Sequence, residues 1–150
     1  VDTTDALLKQ LNAEIRGLAT VDFRKQPAYK LDCLGHKVFL CRPQQILHRL
    51  KDLESTLTRN LELAEDRLSL SWTMAKFFSE FLEIQPFKDG NQRTALKFLE
   101  SQLNGQETPQ TLGLQFRPDD LLKKIPLEGD PSKDLPRLAR IFARWLQPVQ

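Results

Sequence analysis

The sequence predicts a mainly α-helical fold carrying one short β-hairpin. Three observations support this. Leucines, isoleucines and phenylalanines recur every three or four residues along most of the chain, the spacing of a buried helix face. A single stretch, Tyr29 to Cys41, is enriched in strand formers around a Gly35-His36 turn. Between the periodic stretches stand Gly, Pro, Asn and Asp, the residues that end helices and build turns.

In chain order, Leu7, Leu8, Leu11, Ile15 and Leu18 follow the polar run Thr3-Thr4-Asp5. The polar run supplies N-cap candidates, so an amphipathic helix opens the chain, with Gly17 expected to fray its end. The hairpin comes next, too short to form a sheet of its own. Pro43 suits the first turn of a second helix, where its missing N–H costs nothing, and Ile46, Leu47, Leu50, Leu53 and Leu57 share one face with His48 close to it. The most apolar helix spans 65–83, where Leu70, Met74, Phe77, Phe78, Phe81 and Leu82 form a stripe broad enough to centre the core. Pro86 stops it. After the polar run Lys88-Asp89-Gly90-Asn91, helical spacing resumes at Arg93, Ala95, Leu96, Leu99 and Leu103 as far as Asn104-Gly105. Pro118-Asp119-Asp120 opens a short helix with Leu121, Leu122 and Ile125, and Ser132 to Leu146 forms another, closed by Pro148.

Composition narrows the function classes. At 150 residues one core suffices, and 40% hydrophobic with 28% charged residues is the balance of a folded globular chain. A formal charge of +2 gives no ground for a nucleic-acid or membrane partner, which needs a clustered basic face. Cys33 and Cys41 are too few for a disulfide framework and have no Cys/His cluster around them. No apolar run approaches a membrane span, and Val1 to Asp5 lacks the regions of a signal peptide. The expected compartment is the cytoplasm, with delivery into another cell left open.

The stretch Pro86 to Arg93 is where chemistry concentrates. A Gly-Asn pair before a helix places unpaired backbone N–H groups at the positive end of the helix dipole, an arrangement suited to an anion such as phosphate. Gly90 reaches backbone angles closed to other residues, and Asn91 tolerates the left-handed region. Arg93, one turn in, can fork onto phosphate oxygens, and Asp89 can hold a magnesium ion bridging two phosphates. The same letters also describe a plain interhelix turn in which Asp89 or Asn91 is an N-cap.

The run Gln85-Pro86-Phe87-Lys88-Asp89-Gly90-Asn91-Gln92-Arg93 resembles the Fic family signature, His-Pro-Phe-x-Asp/Glu-Gly-Asn-Gly-Arg-x-x-Arg, set between two helices. Glu14-Ile15-Arg16-Gly17 is similar to the start of the Fic core, the hairpin at 29–41 to the flap that aligns a target segment, and Arg42-Pro43-Gln44-Gln45-Ile46 to the helix start after it. The resemblance implies a Fic-type helical bundle with a β-hairpin flap, one domain over 1–150 with its core at about 11–105 and C-terminal helices within 118–147. It further implies an adenylyltransferase that moves AMP from ATP, with Mg2+, to hydroxyls of a target protein (AMPylation). Gly90, Asn91, Gln92 and Arg93 would then bind the nucleotide phosphates, Asp89 the metal, and Phe87 would anchor the loop. The partners implied are a target protein docking on the flap and an inhibitor or antitoxin chain; the family's inhibitory helix motif has no convincing copy outside the core, so such control would come from a partner chain or from a region missing from this sequence.

Three positions depart from the signature. Gln85 stands at the catalytic histidine, and an amide has no titratable nitrogen near neutral pH. Losing a positioned base costs about a hundred- to ten-thousand-fold in rate, so a weakly active or inactive nucleotide-binding or interaction module is expected. His36 on the flap is the one substitute base the sequence offers. Gln92 replaces the second glycine, and Leu96 the second arginine. In these two respects, and in Thr94-Ala95-Leu96, the chain is similar to Doc, the phosphotransferase branch, in which the nucleotide lies reversed. A Doc-like phosphotransferase toxin, or an active Fic enzyme with an engineered His-to-Gln change, are the alternative readings.

Overall fold

The computed structural model describes residues 3–32, 34–105, 112–119 and 123–149. The mainly α-helical architecture expected from periodicity is the one observed, with five helices and two small antiparallel strand pairs among those residues. Helix α1 (Thr4–Arg16) starts at Thr3, whose hydroxyl accepts the Ala6 N–H. It ends sharply rather than fraying. Gly17 takes the left-handed conformation (φ 68°), and its N–H and that of Leu18 return to carbonyls of the last turn, a termination glycine makes at little cost.

Strands β1 (Tyr29–Leu31) and β2 (Lys37–Phe39) pair Tyr29 with Phe39 and Leu31 with Lys37. Asp32 shapes the turn between them, its Oδ1 accepting the N–H groups of Leu34 and His36. Every residue of the two strands is exposed, so the hairpin projects from the body instead of packing into it. A 3-10 turn at Pro43–Gln45 leads into α2 (Ile46–Leu63), which buries Ile46, Leu50, Leu53, Leu57 and Leu61. Leu47, expected on the same face, is exposed, as is Leu18 after α1; both lie just outside their buried arcs.

Helix α3 (Arg67–Ile84) is the central element. Asp66 and Ser69 form a reciprocal capping box at its start, and Leu70, Met74, Phe77, Phe78 and Phe81 are all buried. It packs against α2, α4 (Asn91–Asn104) and α5 (Pro131–Trp145), while α1 lies on α4. Phe77 stacks on Phe98 of α4, and Phe78 meets Phe142 of α5 edge-on, both with ring centroids 5.5 Å apart. A second strand pair that the sequence did not foreshadow joins β3 (Leu114–Phe116) to β4 (Leu146–Pro148), so the chain continues from α5 straight into a strand. The short helix expected at 118–125 falls largely outside the described residues; Pro118, Asp119 and Lys123 to Ile125 are not helical. Among the described residues no helix is long and apolar enough to cross a membrane.

Candidate functional site

The link from α3 to α4 is six residues, 85–90, and its shape is set by one buried side chain. Asn91 accepts the Phe87 N–H on Oδ1 (3.0 Å) and donates through Nδ2 to the Phe87 carbonyl (2.9 Å) and to Gln85 Oε1 (2.7 Å). Both ends of its amide are used inside the loop, which drives Phe87 into the core at 1% exposure. Gln85 closes α3 in the left-handed region at φ 47°, the one non-glycine residue with positive φ among those described. Gly90, the N-cap of α4, also has positive φ (75°), and a Cβ there would meet Asn12 Nδ2 at 3.2 Å. Glycine is needed here on both counts.

Two residues distant in sequence hold this loop from outside. Asn12 of α1, fully buried, donates to the Asp89 carbonyl (2.8 Å) and to Thr94 Oγ1 (3.0 Å), and accepts from Arg16 (3.2 Å). Arg24 donates to the carbonyls of Ile84 and Gln85 at the end of α3, and to those of Gln26 and Cys41. Its partial burial lowers the guanidinium pKa below the ordinary value, and the helix end offers it the negative pole of a dipole. The Arg24 N–H adds a bond to the Pro86 carbonyl (2.9 Å), and Phe23 packs against Phe87 with ring centroids 5.5 Å apart.

Above the loop opens a cavity of about 440 Å³, within the size range of small-ligand sites. The start of α4 forms its floor. No side chain caps this helix, and the N–H groups of Asn91, Gln92 and Arg93 have no partner among the described residues. Lys88, Arg93, Lys123 and Lys124 line the cavity against a single carboxylate, Asp89. Four cations to one anion, around unpaired amides, make a receptor for a polyanion. A wider groove of about 540 Å³ between α1 and α4 sets Glu14 and Glu100 against Lys97 and has no such bias.

A model of the Fic/DOC family matches residues 2–103. The chain belongs to the Fic/DOC family. Among solved structures, two similar folds are VirB-translocated effectors of Bartonella. The BepC protein of Bartonella tribocorum, a VirB-translocated effector solved with bound AMPPNP, aligns with a TM-score of 0.67 at 17% identity, over 97% of this chain and 75% of its own. The N-terminal Fic domain of a putative cell filamentation protein from Bartonella quintana, a VirB-translocated Bep effector solved with bound ADP, aligns with a TM-score of 0.64 at 20% identity, over 97% and 74%. At these identities the likeness is one of fold. None of the curated proteins matches the chain significantly.

Within this Fic fold the residues singled out from sequence meet at one place: Gln85, Asp89, Gly90, Asn91, Gln92 and Arg93 all line the cavity. Their parts differ from those expected in two respects. The Gly90 N–H is turned onto Asp89 Oδ1 (2.8 Å), so Gly90 contributes its conformation and not a free donor. The Gln92 side chain is engaged with another segment of the protein. Its amide pairs twice with the backbone of Ile125, donating to the carbonyl (3.0 Å) and accepting the N–H (2.8 Å). The Arg93 side chain has no ion-pair or hydrogen-bond partner among the described residues and lines the cavity. His36 sits at the flap turn 3.6 Å from Asp32, and His48 is on the exposed side of α2 near Asp52; neither lines the cavity. Arg24, Asn12, Lys123 and Lys124 went unnoticed in the sequence, because isolated charged and amide residues carry no local signal of the backbone they will meet.

Proposed function

We propose that this chain is a nucleotide-binding Fic domain that holds ATP or a related phosphate ligand and transfers AMP to protein poorly or not at all. One observation carries the reading: the cavity gathers unpaired amides and four cationic side chains, while the position that should supply a base holds an amide. The side-chain acceptor of Gln85, Oε1, already accepts from Asn91 Nδ2. A carboxamide engaged in this way has no basic nitrogen with which to remove a proton from a hydroxyl. The nucleotides named for the two similar structures, AMPPNP and ADP, support a nucleotide as the polyanion.

Asp89 fits the role of a magnesium ligand. One of its oxygens serves the Gly90 N–H, and Oδ2 has no partner among the described residues; Mg2+ commonly takes one or two carboxylates and completes its shell with phosphates and water. Bound there, the ion would offset phosphate charge, and Asp89 would orient it. The flap is the seat proposed for a protein partner. Leu31, Leu34 and Phe39 are each more than 60% exposed, a large apolar offering for so small a hairpin.

Calorimetry with ATP and Mg2+ tests the binding claim. Binding should weaken about tenfold or more in Arg93→Ala, the loss expected when one charge-assisted phosphate contact goes. Absence of binding by the unaltered chain would refute the reading. ATP labelled at the α or γ position, incubated with the chain and cell extract, should leave protein unlabelled. Label from the α position would establish an active adenylyltransferase, and label from the γ position a Doc-like phosphotransferase. If the histidine is the sole missing part, Gln85→His restores transfer.

A further inference from the structure

The segment that follows the described strand β3 returns to the motif helix. Ile125 is buried, and its backbone is held by both atoms of the Gln92 amide. A two-point pairing of this kind fixes position and orientation together, as a single hydrogen bond does not. The residues immediately before it, Lys123 and Lys124, are exposed, have no acidic partner among the described residues, and line the cavity together with Lys88 and Arg93. At the position the signature gives to a second arginine, the chain has Leu96, which is buried and uncharged.

We propose that Lys123 and Lys124 contact the outer phosphates of the bound ligand, held over the cavity by the Gln92–Ile125 pairing, and replace the positive charge absent at Leu96. This rests on the phosphate-pocket reading above and deepens it. Three features converge. The latch residue is itself part of the motif, so the strap registers against the phosphate floor and not against a remote surface. The lysines directly precede Ile125, so the pairing that fixes its backbone also holds them at the cavity wall. With Lys88 and Arg93 they make four cations against the one carboxylate of Asp89, a cluster whose mutual repulsion persists at ordinary ionic strength over distances inside about 8–10 Å and is relieved when a polyanion enters. The Gln92 substitution then has a constructive role: the side chain that stands where the signature has glycine reaches out and ties down the strap.

The test uses inorganic tripolyphosphate and, separately, ATP as calorimetric ligands for the whole chain and for three variants. Lys123→Ala/Lys124→Ala should weaken tripolyphosphate about tenfold or more and flatten its dependence on salt. Gln92→Ala should weaken it in the same direction and speed hydrogen exchange at the Ile125 amide. Two results overturn the proposal: unchanged affinity in the double-lysine variant, or tighter binding in Gln92→Ala, which would make the glutamine an obstruction. Should the lysine variant bind normally while Arg93→Ala does not, the strap is refuted and the nucleotide reading survives. Should tripolyphosphate follow the lysines while ATP binds no better than tripolyphosphate, the strap stands and the nucleoside part of the reading falls. If neither ligand binds the unaltered chain, both fall.

Discussion

Asn91 shows how far one amide can determine a site. In the sequence it could be read either as part of an anion-binding helix start or as an ordinary turn residue, and only the resemblance of the whole run to the family signature favoured the first. Its side chain, however, serves the loop's own backbone, and both of its functional atoms are committed to Phe87 and Gln85. Replacing Asn91 by Asp keeps the size and the bond from the Phe87 N–H but sets a charged oxygen against the Phe87 carbonyl and Gln85 Oε1. A buried group left unsatisfied costs about 1–3 kcal/mol and a charged one more. Asn91→Asp should therefore lower stability in urea by about 3 kcal/mol and more than Asn91→Ala does. Equal losses would show that the Nδ2 contacts contribute little. Gln85 stayed legible only by its place in the signature: nothing local announces that a glutamine will adopt φ 47°, a region that costs a non-glycine residue about 1–2 kcal/mol.

At the scale of elements, the helices differ in how they begin. Asp66 caps α3 and Asp130 caps α5, each by side-chain acceptance from the first turn. The pKa of Asp66 is lowered chiefly by the Ser69 backbone N–H and then by the Ser69 hydroxyl, and that of Asp130 by the Ser132 hydroxyl and then its N–H. Carboxyls with lowered folded-state values contribute stability above their unfolded pKa, about 3.9, and that contribution is lost as pH falls through the folded value. Stability should decline on acidification below about pH 4, and the decline should be shallower in Asp66→Asn/Asp130→Asn, where the caps persist without a titrating group. Urea midpoints at pH 5 and pH 3 measure it. Helix α4 begins instead at bare glycine, and its first amides have no partner among the described residues. The five described helices and the flap could be read from spacing and turn residues because each is a local pattern. Strands β3 and β4 could not: three residues apiece, they exist by pairing Phe116 with Leu146 across 30 residues of chain, and a proline closes the second.

For the molecule as a whole, the motif loop is a junction. Arg24 joins the end of α3 to the exit of the flap at Cys41 and to its own strand of loop, through four carbonyls on three segments. A planar fork with five donors spans them, whereas an ammonium is a point. Arg24→Lys keeps the charge and should still destabilise the fold by about 1–2 kcal/mol, since a bond to a charged group contributes roughly 1.5–3 kcal/mol. Urea unfolding checks this, and an unchanged midpoint would mean the carbonyls are as well served by water.

The contact from Asn12 to Asp89 and Thr94 bridges 77 and 82 residues of chain. Its effect is that the nine-residue signature does not carry its own architecture. Transplanted between two helices of another scaffold, residues 85–93 would bring the letters of the loop without the amide from the opening helix that props its carbonyl. The chain's first helix is synthesised long before the residues it supports, and it waits, with an amide to bury, for a partner near the middle of the sequence.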